Sequence, residues 1–182
     1  MMFTIVYTPA IYSWDRRFWP PSLDEMTYYE WQAKLWKLFT KHPKIQFIWK
    51  VVDRRTNNLI DPISFAKSRN IRYSDKSLNG ELAGCDLLLC DYPSTPMFDA
   101  WKKGIKAICF MVKDTQFLRG CYQLIWSSSF VVEESNILQR VEWFLDGIEY
   151  SGTYCDMFMK MMIPKFSYPK RENLLAAIET EF

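Results

Sequence analysis

The stretch Leu87-Leu88-Leu89-Cys90-Asp91-Tyr92-Pro93-Ser94-Thr95-Pro96-Met97-Phe98-Asp99-Ala100 decides how the chain is read. A short apolar run, the pattern of a buried strand, stops at an acid; two hydroxyl residues then open a helix. Thr95 is the expected N-cap and Pro96 the first helical residue, where its fixed φ suits the helix and its missing N–H would have been orphaned anyway. Asp99 is read as a first-turn carboxylate. Such a strand-to-helix corner directs backbone N–H groups and the positive end of the helix dipole at whatever lies above the sheet, which is what holding a phosphate requires. The same residues also satisfy a plainer description, a capped helix whose Asp99 complements the dipole.

Working outward, strands and helices alternate. Phe3–Tyr7, Ile45–Val52, Ile71–Tyr73, Asp86–Cys90, Ile105–Met111 and Phe130–Val132 are the expected strands. Ser22 and Glu25 form a capping box, and Tyr28, Trp31, Leu35, Leu38 and Phe39 recur at helical spacing to about Lys41 as a core stripe. Further helices are expected from Asp61-Pro62 to Ser68, Leu78 to Ala83, Pro96 to Lys103 with Gly104 as the stop, Thr115 to Trp126, and from Ser135 through Leu145. Tyr154–Met162 and Arg171–Glu181 complete a helical tail. The expected fold class is α/β: a Rossmann-like parallel sheet with helices on both faces in one domain, with a core over 1–150 and the tail over 151–182. A strand beginning almost at the first residue fits a complete protein and an excised half of a longer one alike. Ligands of such sheets bind outside the carboxyl ends of the strands, and the Asp91 corner lies at one of those ends.

Composition removes several functions. At 182 residues and a net charge of +2, no basic stripe marks a nucleic-acid partner. No apolar run is long enough to cross a membrane, and five cysteines without CxxC spacing, beside a single histidine, point to a reduced, cytoplasmic chain without a structural zinc site. Neither GxGxxG nor GxxxxGK[ST] is present, and no GxSxG elbow exists. Without an Asp-x-Asp pair, a metal-bridged diphosphate has no support, so neither metal nor resident cofactor is expected. His42, at a helix end before Pro43, suits the dipole there. Arg16 and Arg17, in the aromatic loop after the first strand, can reach an anion, although a solvated surface pair explains them more simply.

Asp91-Tyr92-Pro93-Ser94-Thr95, then Asp99-Ala100 and Gly104-x-Lys106-Ala107-Ile108, resembles the donor-site signature in the C-terminal half of GT-B-type glycosyltransferases, most nearly the surface-polysaccharide and glycerophosphotransferase-like branches. The resemblance implies Ser94 and Thr95 on the donor phosphates, within a corner formed with Tyr92 and Pro93. Asp99 then stands where the family carries a ribose-binding Glu, and Lys50 matches a basic residue after the second strand. Ala107 stands in place of a frequent Pro, and Val52 in place of the His that follows that basic residue in relatives. With Arg16, these residues are the candidate donor-binding set; no catalytic residue is assigned. The implied ligand is a nucleotide-activated sugar or polyol, and the implied partner is an N-terminal GT-B half, so the isolated domain is expected to bind nucleotide and catalyse little. A sugar-nucleotide epimerase half shares this donor site. A non-catalytic module of the same fold, with Trp14–Trp19 as an interface patch, is the alternative from another class.

Overall fold

Among the described residues, apolar runs rich in β-branched and aromatic residues form six strands: β1 (Phe3–Thr8), β2 (Ile45–Lys50), β3 (Ile71–Ser74), β4 (Leu87–Cys90), β5 (Lys106–Met111) and β6 (Ser129–Val131). Among the same residues, helices α1 (Glu25–Thr40), α2 (Leu78–Leu82), α3 (Thr95–Lys102) and α4 (Ile137–Ser151) lie between or after them. The computed structural model describes residues 2–9, 25–50, 68–91, 94–111, 129–131 and 136–151. The expected loop over Ala10–Pro21, Ser22 of the capping box, the helix at Asp61–Ser68 except its last residue, the helix at Thr115–Trp126, the Ser135 cap and the tail helices lie outside the described residues.

The strands form one parallel sheet in the order β3-β2-β1-β4-β5-β6. The chain builds outward from β1 through β2 to β3, then returns to the other side of β1 with β4. Its order therefore reverses between β1 and β4, the point where ligands of doubly wound sheets bind. Thr8 pairs with Cys90 across that boundary, which brings the end of β1 beside the Asp91 corner.

Alternation along the strands sends residues to two covered faces. Phe3, Ile5 and Tyr7, with Phe47, Trp49, Leu89, Ile108 and Phe110, pack under α1 and α4. Val6, Ile48, Leu88, Cys90, Ala107 and Cys109 pack with Leu82 of α2 and Met97 and Ala100 of α3. The helical stripe is core, as its spacing predicts: Tyr28, Trp31, Leu35, Leu38 and Phe39 are all buried. Phe39 stacks on Phe47 at 4.1 Å, and Tyr7 meets Trp49 edge-on at 4.4 Å.

Polar groups close the amino-terminal edge of the sheet. Asn70 is buried, and its Nδ2 donates to the carbonyls of Phe39 and His42, both at 2.9 Å, satisfying the C-terminal end of α1. The Thr4 N–H donates to Asp86 Oδ2 at 2.8 Å, and the Asp86 N–H returns to the Thr4 carbonyl at 2.9 Å. An acidic stripe on α4 meets the basic end of α1: Lys41 Nζ lies 2.7 Å from Glu142, and the Lys44 N–H donates to Glu149 at 3.0 Å.

Candidate functional site

The strand–corner–helix unit forms at the carboxyl end of β4, with one shift. Ser94 rather than Thr95 is the N-cap, in an extended conformation (φ −135°, ψ −177°), and Thr95 is the first helical residue. Either hydroxyl residue can precede a proline in the first turn, because Pro is tolerated wherever its N–H would be orphaned. The Ser94 side chain makes no capping hydrogen bond. Pro96 brings no N–H, and the Met97 N–H donates to the Ser94 carbonyl at 2.9 Å. Of the first three helical positions, Thr95 therefore carries the amide available to an incoming anion among the described residues. The corner presents that amide, two hydroxyls and the positive end of a two-turn helix.

Asp99 does not lie in the first turn, which holds no acid. It is the fifth residue of α3 and pairs with Lys102 Nζ at 3.7 Å. With Lys102 largely exposed, this contact is weak and can be exchanged for a ligand. Gly104 stops the helix as the sequence predicts. At φ +72° its N–H donates to Trp101 and that of Ile105 donates to Ala100, a Schellman closure that fixes the far end of α3.

Beneath the corner lies an arrangement that the sequence did not disclose. Asp91 is 3% exposed and accepts hydrogen bonds on one carboxylate oxygen from two phenols, Tyr7 at 2.5 Å and Tyr28. Tyr7 comes from β1, Tyr28 from the first turns of α1, and Asp91 from the end of β4. The three elements at the switch point thus converge on one carboxylate. The signal in the sequence was a Tyr at position 28 of a core stripe, where Phe would have packed as well without needing a partner.

Lys50 ends β2 at the same sheet edge, but β1 lies between β2 and β4. Its ammonium donates to the Ser74 carbonyl at 3.4 Å, on the side away from β4. Burial lowers its pKa, opposed by the charges of Asp75 and Glu81. On that flank the Arg72 guanidinium grips Glu81 with both amino groups, at 3.2 and 2.6 Å, and the Ser74 hydroxyl donates to the same carboxylate. The Arg72 hydrogen bond leads in holding the Glu81 carboxyl below its ordinary range, against desolvation and with help from Ser74. His42 lies at the opposite edge, 2% exposed, with Nδ1 3.6 Å from Glu149 and 3.9 Å from Asp146. Arg16, Tyr92 and Pro93 lie outside the described residues, as do Cys121 and Cys155. Burial pushes the Cys85 thiol up to about 11 and raises Cys109 as well, so neither is a ready nucleophile. Among the described residues, no group of three or more His, Cys, Asp or Glu side chains could hold a metal ion, and no helix is long and apolar enough to cross a membrane.

No family model and no curated protein matches the sequence. Solved structures do. A Listeria monocytogenes protein assigned as a UDP-N-acetylglucosamine 2-epimerase is similar over 99% of this chain, at 10% identity and a TM-score of 0.56. The glycotransferase of kitacinnamycin is similar over 97% of it, at 8% identity and a TM-score of 0.55. The fold is GT-B-like. At these identities the likeness concerns the fold alone. The chain spans less than half of each of these two structures, 45% and 40% of their lengths. The Asp91 corner lies at the switch point of the sheet, with Ser94 at the N-cap of α3, Thr95 and Asp99 within it, and Lys50 two strands away.

Proposed function

We propose that this chain is the donor-holding half of a two-part enzyme acting on a nucleotide-activated sugar or polyol, in the manner of the glycosyltransferases and glycerophosphotransferases its corner motif resembles. The observation that carries this reading is the Ser94 hydroxyl. It sits at an N-cap, at the switch point of the sheet, and is not used to cap its helix. A phosphate seated there takes hydrogen bonds from the Ser94 and Thr95 hydroxyls and the Thr95 amide, and the α3 dipole stabilises charge on the departing phosphate. Asp99 leaves Lys102 to accept from the ribose hydroxyls. The acceptor and the general base come from a second half facing this edge, so the chain alone binds nucleotide and turns over little.

The fold-level likeness to a protein assigned as a UDP-N-acetylglucosamine 2-epimerase favours a second reading, a sugar-nucleotide epimerase half using the same donor corner. Calorimetric titration with UDP, CDP and CMP tests what the two readings share. Saturable binding of at least one nucleotide at micromolar to millimolar affinity is expected. Absence of heat with all three at millimolar ligand would refute both.

A further inference from the structure

We propose that Asp91 is the positioning residue of the corner, its carboxylate held by Tyr7 and Tyr28 so that the end of β1, the start of α1 and the turn into α3 keep one fixed relation. The inference rests on the donor reading for its ligand, and on the packing of the corner for its mechanism.

A buried carboxylate is costly unless hydrogen-bonded, and apolar side chains of the same size would fill this space without that cost. Here two phenols from separate elements converge on one oxygen of a residue that is 3% exposed. Tyr7 and Tyr28 stand on either side of the β1–α1 connection, and Asp91 stands three residues before Ser94 in the chain. Hydrogen bonds fix direction where apolar packing tolerates sliding, so this trio sets where the turn leaves β4 and where the Ser94 hydroxyl and Thr95 amide point. Lys50, Arg72 and Glu81, on the β2–β3 flank, do not enter it.

The test compares Tyr28→Phe with Ile45→Ala, a core truncation at the amino-terminal edge that serves as the control for general loss of stability. The readouts are the backbone amide resonances of Ser94 and Thr95 without ligand, and UDP affinity by calorimetry. Tyr28→Phe is expected to move both resonances and to weaken UDP roughly tenfold, the effect of one hydrogen bond to a charged group. Ile45→Ala, despite a lower Tm, is expected to leave both readouts as in the wild type. Unmoved Ser94 and Thr95 amides in Tyr28→Phe, or equal movement in Ile45→Ala, would overturn the positioning role. Should Tyr28→Phe fail to fold, Tyr7→Phe makes the same comparison from β1. If the wild type binds no nucleotide, the donor reading fails separately, and the amide resonances still decide whether Asp91 positions the corner.

Discussion

The two edges of the sheet use polar residues in opposite ways. At the amino-terminal edge three side chains are spent on the fold: Asn70 donates to two carbonyls at the end of α1, Asp86 extends the β1–β4 ladder, and Glu149 takes the Lys44 amide. At the carboxyl-terminal edge the buried carboxylate is tied down, but the residue at the helix start is not, since Ser94 leaves its cap bond unmade. A helix cap is ordinarily worth about 1 kcal/mol; here Pro96 offers no N–H to cap and the Met97 N–H goes to the Ser94 carbonyl, which leaves the Ser94 hydroxyl to the ligand proposed for this edge. The contrast teaches where to cut: substitutions at one edge should act on stability, at the other on binding.

The largest effect on stability is expected from Asn70→Ala. It removes the side-chain donor from the Phe39 and His42 carbonyls, which keep only the His42 and Ile45 N–H groups, and should cost about 1–2 kcal/mol in chemical denaturation, with nucleotide affinity unchanged. A loss of affinity comparable to that of a corner variant would erase the distinction between the edges.

A smaller effect should appear with pH on the β3 flank. Glu81 titrates lower in the folded chain than its ordinary value of 4.5, chiefly through Arg72. Its contribution is therefore complete above that value and is lost as pH falls through the lower, folded value. Thermal melts of the wild type should lose Tm on acidification below about pH 4.5 more steeply than those of Glu81→Gln. The difference should be modest, because Arg72 is 45% exposed and solvent screens the pair. Parallel pH profiles would remove Glu81 from the account.

The smallest stability effect is expected from Ser94→Ala, under about 0.5 kcal/mol, where loss of a working N-cap would cost about 1 kcal/mol. A drop of that larger size would mean that Ser94 is a cap after all.

Much of this architecture was legible because it is written locally. Apolar runs marked the strands to within a residue or two, the 3.6-residue stripe from Tyr28 to Phe39 marked α1, and Gly104 marked the end of α3. The corner was legible as a corner but misplaced by one residue: Ser94 and Thr95 are both good caps before Pro96, and only the backbone decides between them. Asp99 moved out of the first turn for the same reason. What could not be read was long-range. Tyr7 and Tyr28 are 84 and 63 residues from Asp91 in the chain, and no local pattern distinguishes a phenol that meets a carboxylate from one that simply packs. Lys50 was matched to the corner by its place after the second strand. The strand order puts β1 between them, and the ammonium donates to the Ser74 carbonyl at 3.4 Å.

The central claim is that ligand binds at the carboxyl-terminal edge, on Ser94 and Thr95. Amide spectra of the 15N-labelled chain recorded during a UDP titration test it most directly. The account predicts saturable shifts at Thr8, Ser94, Thr95 and Met97, with Asn70, Asp86 and Lys44 unmoved. Shifts centred on Asn70 and Asp86, or none at Ser94 and Thr95 at saturating UDP, would contradict it.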